Sequence, residues 1–369
     1  MRKLAALLVL LLAACGSQET PPTFHSDSNP QQLSDWGMVT ARDGALQLGE
    51  GVTPYDLATP LFTDYALKLR TVWIPQGAAT YTANDAFDFP VGTVLTKTFF
   101  YPIKGDAWTG AVTYGVEHTV EGGAMSLSGY RLMETRILVR RADGWNALPY
   151  VWNDDQTDAV LKRTGAVIPL TLHRPDGRAE SFAYVVPNAN QCAACHATNA
   201  NTKEIAPIGP KARHLNKPST FSPAFNQLDY WIAAGLLTGN VSDGAAVQKS
   251  ADWTDKSLPL AARARTYLDI NCSHCHNPGG AADTSGLDLE PDAAGPALGR
   301  CKSPIAAGSG SGGRPFDIVP GHPEQSITVF RMETTDPGAM MPELGRSTTH
   351  DEGVALIAEW IARMEGVCG

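Results

Sequence analysis

Past residue 15, nothing in this 369-residue chain is apolar for long enough to cross a bilayer, so no permanent membrane span is expected. Basic residues are in deficit, 29 Lys and Arg against 38 Asp and Glu, for a formal charge of −9. That balance argues against nucleic acid as a partner and against a generally basic docking face. There is no dinucleotide fingerprint, nucleophile elbow or pair of catalytic carboxylates. Gly308 to Gly313 is rich in glycine and serine but lacks the strand and helix that bracket a phosphate loop. Cysteine is scarce as well, at seven residues, and four of the seven fall into one repeated pattern.

The pattern is Cys-x-x-Cys-His, present as Cys192-Ala-Ala-Cys195-His196 and as Cys272-Ser-His-Cys275-His276. Chance would give roughly 0.003 such pentapeptides in a chain of this composition, so two copies demand a chemical reason. Cysteines three apart lie on one side of a helical turn, where both sulfurs can reach the vinyl groups of one porphyrin. The next histidine is then placed under the iron as proximal ligand. The expected cofactors are therefore two haem c groups, with Cys192, Cys195, Cys272 and Cys275 as attachment sites and His196 and His276 on the irons. A zinc site built from two Cys-x-x-Cys pairs does not require a histidine after each pair.

Arg2 and Lys3 precede an apolar core from Leu4 to Leu12, which reads as an export signal. It ends in Leu12-Ala13-Ala14-Cys15, a lipoprotein cleavage box that would make Cys15 the acylated first residue. More than one lipid chain on Cys15 suffices for stable anchoring. Gly16 follows, with no aspartate to argue for inner-membrane retention, so an outer-membrane lipoprotein facing the periplasm is expected. Loss of Arg2 and Lys3 would take the charge from −9 to −11. Cys301 and Cys368 remain, and in an oxidising compartment a leftover pair suggests a disulfide.

The expected fold is multidomain α+β: a β-rich, sandwich- or barrel-like domain followed by two mostly α-helical haem domains. After the signal at 1–15, residues 16–35 are rich in Ser, Thr, Pro, Asn and Gln and read as a flexible tether. Residues 36–187 form the β-rich domain, with strand patterns at Val91 to Phe99 and Tyr130 to Arg140, then an Asp143-Gly144 turn. Val167 to His173 and Ser181 to Val186 read as a hairpin around Pro175-Asp176-Gly177. Residues 188–248 hold the first haem motif, with helical spacing of Leu228, Trp231, Ile232 and Leu236. Residues 249–369 hold the second, with a helix from Leu260 to Cys272 and a terminal helix from Glu352 to Met364, capped by Thr348 or Thr349. Asp154, Asp155 and Asp158 read as a solvated acidic loop rather than a calcium site.

For the second haem the distal ligand is expected from Met340-Met341-Pro342, with Met341 chosen because the proline stiffens the loop that holds it. Met340 and Met332 are the other candidates. For the first haem no methionine occurs between His196 and Met332. His214 is one candidate; Met125, Met133, His118 and His173 are others, and an open or water-ligated iron is a third possibility. His274 lies inside its own motif, where it cannot face the iron of His276. His25, His322 and His350 read as surface or loop residues.

Trp36–Val39, Thr53–Leu57, Leu61–Ala66 and Phe89–Leu95 resemble stretches of a family of bacterial dihaem c-type cytochrome lipoproteins, as do Glu134–Arg136, Ile208–Arg213, Arg263–Cys272 and Met341–Arg346. The likeness runs through nearly the whole mature chain. It implies two haems and a β-rich N-terminal region, and the C-terminal part is also similar to class I cytochrome c. It supplies no reaction, because the family is named for haem content.

Three functions fit. The first is electron transfer between redox protein partners at the membrane, with the haem iron doing the redox step. The second is a peroxidase-like or substrate-oxidising enzyme with an exchangeable first haem. The third is a scaffold whose β domain recognises a partner.

Overall fold

The structure is a computed structural model that describes residues 21–115, 118–221, 225–239, 247–305 and 307–369. The expected signal and Cys15 lie outside the described residues. Among the described residues, fourteen strands run in chain order as β1 (Val39–Arg42), β2 (Ala45–Leu48), β3 (Thr53–Tyr55), β4 (Leu67–Trp73), β5 (Ala79–Thr80), β6 (Val94–Pro102), β7 (Ala111–Val112), β8 (Ala124–Ser126), β9 (Tyr130–Arg141), β10 (Gly144–Trp152), β11 (Ala159–Leu161), β12 (Ala166–His173), β13 (Ala179–Val186) and β14 (Leu237–Thr238). Among them lie α1 (Ala189–His196), α2 (Ala212–Leu215), α3 (Gln227–Ala233), α4 (Leu260–Leu268), α5 (Ile327–Glu333) and α6 (Asp351–Ala362).

An open six-stranded antiparallel sheet, ordered β11-β10-β9-β6-β4-β3, organises the chain. Alternation along β6 sends its residues to two faces. Val94 and Phe100 join Trp36, Leu46, Met125 and Tyr150 in one core, under the small sheet β1-β2-β8. Phe99 and Tyr101 join Leu170, Phe182 and Tyr184 from the sheet β13-β12-β7 on the other face. Sheets thus cover both faces of an open sheet, and no closed barrel forms among the described residues.

The expected pair of mostly helical haem domains is not what forms. Among the described residues strand outweighs helix, 27% to 20%, over four sheets and six helices. The helices of residues 188–248 are short, at eight, four and seven residues. They bury their apolar face on the six-stranded sheet, where Leu215, Leu228 and Trp231 pack with Tyr55, Val72, Phe87 and Leu95. Strand β14 pairs in parallel with β5, which ties the segment to the β region through the backbone too. The C-terminal region gathers Leu268, Ile318, Val329, Ile357 and Ile361 around α4, α5 and α6, with long loops between these helices.

Other boundaries shift. From Thr23 onward the expected tether is packed in place: Leu33 is fully buried, and Arg141 donates to His25 O, Ser28 O and Asn29 Oδ1. The Asn226 side chain caps α3 by accepting from Leu228 N. Thr348 does not cap α6. Its amide and hydroxyl both bond Asp64 Oδ1, at 2.8 and 3.0 Å. The acidic loop is solvated as expected, with Asp154 on Arg131, Asp155 on Thr157 and Asp158 on Ser34. Cys301 and Cys368 are joined as a disulfide closing a separation of 67 residues.

Candidate metal centres

Helix α1 exists to carry the first motif. Asn188 accepts from Gln191 N while the Gln191 side chain accepts from Asn188 N, a capping box that starts the helix three residues before Cys192. His196 ends it. The second motif follows α4 through a wider helical turn, Asp269–Ser273.

Both histidines are held the way an iron ligand must be. His196 Nδ1 lies 2.8 Å from Ala206 O. A carbonyl only accepts, so Nδ1 carries the proton and Nε2 keeps its lone pair. His276 Nδ1 lies 3.1 Å from Ser285 Oγ, and that hydroxyl already donates to Ala282 O, so it accepts from the ring. Bonding one ring nitrogen fixes ring orientation and raises the basicity of the other. Burial pushes each imidazole down to about 4, so both stay neutral in mild acid.

The motifs meet at their second cysteines. Cys275 Sγ lies 3.9 Å from Ala194 O, and the Cys195 and Cys275 thiols are within hydrogen-bonding reach, with His274 alongside. All four motif cysteines are free thiols in this structure. The meeting pair is coupled: hydrogen bonding by Cys275 holds Cys195 down at about 4, and the same bond drives Cys275 up.

A cavity of about 370 Å³ opens beside each of Cys272, Cys275 and His276, with Met341, Met332 and His350 on its walls. A second, of about 150 Å³, adjoins Cys192, Cys195 and His196. Cys195, Asn271, His274, Pro342 and Leu344 border both cavities. Paired cysteines, a proximal histidine with its outer nitrogen bonded, and a mainly apolar chamber fit a porphyrin at each motif. The thiolate–zinc arrangement is not formed, since no three His, Cys, Asp or Glu side chains converge on a metal-sized point among the described residues.

Met341 stands in the larger cavity with His276, as expected; Met332 is there too, and Met340 does not border it. The loop is fixed by Arg346, whose guanidinium donates to Met341 O, Arg331 O, Thr334 O and Thr348 O at 2.8 to 3.2 Å. His350, expected on the surface, borders the same cavity. Its ring stacks on Phe62 with centroids 4.1 Å apart, and Tyr267 Oη lies 2.8 Å from its Nδ1. Burial pushes His350 down to about 3, with Lys68 and Arg174 adding to the effect.

His214 is not brought to the first motif. It is fully buried on α2, borders neither cavity, and sets Nε2 3.1 Å from Asp269 Oδ2. Asp269 also accepts from Arg213 Nε and Nη2 at 2.7 and 2.9 Å. Burial alone would raise this carboxyl, but His214 and Arg213 outweigh it and hold Asp269 far below the carboxylate range. His214 thus helps lock the first region onto the helical turn that leads into the second motif. Met125 and Met133 lie in the β cores, and neither they, His118 nor His173 borders the smaller cavity.

What the smaller cavity does have is a row of cations. Arg70 on β4, Lys97 on β6 and Arg136 on β9 are direct cross-strand neighbours, and all three border the cavity. Sequence reading missed them, although a lysine in the otherwise apolar and threonine-rich run of β6 was a visible signal. Burial lowers the Lys97 amine well below its usual range, and Arg70, Arg136 and Lys68 lower it further.

Compared with known proteins, the chain matches no family model, and no curated protein and no solved structure shows significant similarity to it.

Proposed function

We propose that the protein is a dihaem c-type electron-transfer protein, anchored to the cell envelope through a lipid on Cys15 and exchanging electrons with redox proteins at the periplasmic face of the outer membrane. The observation that carries this reading is the contact between the motifs. Each has two cysteines and a correctly tautomerised histidine beside a cavity, and Cys195 meets Cys275. Thioether bonds at those sulfurs would put the attachment edges of both porphyrins side by side, an arrangement suited to passing an electron from one to the other. The haems would supply the redox chemistry, while this chain orients the ligand nitrogens and lines the larger cavity with apolar side chains such as Phe62, Leu268 and Leu289.

Intact mass and spectroelectrochemical titration of the exported protein test the proposal together. Two haem additions per chain and two midpoint potentials are expected. Replacing Met341 by alanine should make one haem high-spin and lower one midpoint, since a thioether ligand raises the potential. A mature mass without two haem additions would overturn the reading.

A further inference from the structure

We infer that Lys97 is the sixth ligand of the first haem iron, its amine opposing His196. This rests on the dihaem reading above. It assigns the position for which neither His214 nor any methionine is placed by the fold.

The argument starts from the strand register. Arg70 opposes Lys97, and Lys97 opposes Arg136, so three cationic side chains share one face of adjacent strands. Like charges directly opposite one another destabilise a sheet. The flanking two are neutralised. Arg70 has Asp56 Oδ1 at 3.2 Å, and Arg136 has both oxygens of Glu134 at 2.6 and 2.9 Å. Lys97 makes no ion pair among the described residues; its Nζ stands 4.8 Å from the ring centroid of Phe99. An ammonium there would be flanked by two guanidiniums without a counter-ion. A neutral amine has one lone pair and needs an acceptor for it, which an iron provides.

The sulfurs and one imidazole on that cavity are already committed, and Tyr55, which also borders it, sets its ring edge-on to Trp231 in the core beneath the sheet. Cys192 and Cys195 attach the porphyrin, and His196 is the proximal ligand. His274 remains, but it sits against Cys195 at the attachment edge. Lys97 is on the sheet, on an element separate from the motif that carries His196. An amine ligand there makes the first haem six-coordinate, which selects electron transfer over chemistry at an open iron.

The test uses the full-length haem-loaded protein, with two haems per chain established first by mass; failure there would sink the dihaem reading and this assignment with it, whereas the spectra that follow test the assignment alone. Ferric electron paramagnetic resonance and visible spectra are then compared for the wild type and Lys97→Ala, Lys97→Arg, Lys97→Met and His274→Ala. In the wild type both haems should be low-spin. Lys97→Ala and Lys97→Arg should each turn one of the two haems high-spin and open it to rapid cyanide binding. Arginine keeps the charge but cannot ligate, so a purely electrostatic role would be rescued by it. Lys97→Met should stay low-spin and raise one midpoint, and it serves if the smaller variants do not fold. A low-spin first haem in Lys97→Arg, a high-spin first haem in the wild type, or a spin change in His274→Ala would each overturn the assignment.

Discussion

Replacing both Cys301 and Cys368 with serine removes the one disulfide and leaves no odd thiol behind. The bond closes a segment of 67 residues. Chain-entropy arguments give about 4 kcal/mol for a loop of that length, close to a thousandfold in the unfolding equilibrium. The enclosed segment contains α5, the Met341 loop and α6, so the destabilisation falls on the element that presents Met341. The described residues form four separate apolar cores, so a single global transition is not assumed. The assay is guanidinium titration of the ferric protein, following the second haem's Met341-dependent absorption separately from far-ultraviolet circular dichroism. The methionine signal should be lost at clearly lower denaturant in the double variant, with the strand signal little changed. A change of less than about 1 kcal/mol in the methionine transition would refute the reasoning, because the C-terminal segment would then be held by its other contacts.

Asp269→Asn should cost about 3 to 5 kcal/mol, since it leaves Arg213 buried without its counter-charge; an equilibrium melt shifted by under about 1 kcal/mol would show that the pair is not charge-compensating. His350 has a folded-state value near 3, below the ordinary histidine value, so the unfolded chain takes up a proton first as the solution is acidified. Stability should be full above about pH 6.5 and fall below it at up to roughly 1.4 kcal/mol per pH unit. His350→Gln should flatten the decline between pH 6 and 4, and an unaltered slope in calorimetry would contradict the assignment. Arg346→Lys keeps the charge but cannot reach four carbonyls, so it should destabilise the Met341 loop by roughly 3 kcal/mol. The second haem's ligand-field spectrum should change on warming before the first haem's does; simultaneous loss would argue against a local role.

Legibility in the sequence followed the range of the forces involved. The strand expected at Tyr130 to Arg140, its Asp143-Gly144 turn and the hairpin of β12 and β13 emerged, the strand running one residue further, because strand alternation and turn chemistry are local. The Cys301–Cys368 pair could be reached by elimination, and Met341 by its place before the terminal helix. The helical spacing of Leu228 and Trp231 showed that a face had to be buried, but not that Tyr55 and Phe87 would cover it. Two separate helical domains were inferred where short helices lean on a sheet. His350 lacked any neighbour in sequence, yet Phe62 and Tyr65 reach it from nearly 300 residues away. The cation row needed strand register, which no single stretch of chain discloses.

The meeting of Cys195 with Cys275 constrains how the protein can be made. In an oxidising compartment two neighbouring thiols, one made more acidic by its hydrogen bond from the other, invite a cross-link that would stitch the motifs together and block both proposed attachment sites. On the proposed dihaem reading, maturation would have an order built into it: each porphyrin would be bonded before Cys195 and Cys275 are brought together. Only then would the sheet, α1 and α4 close over the junction.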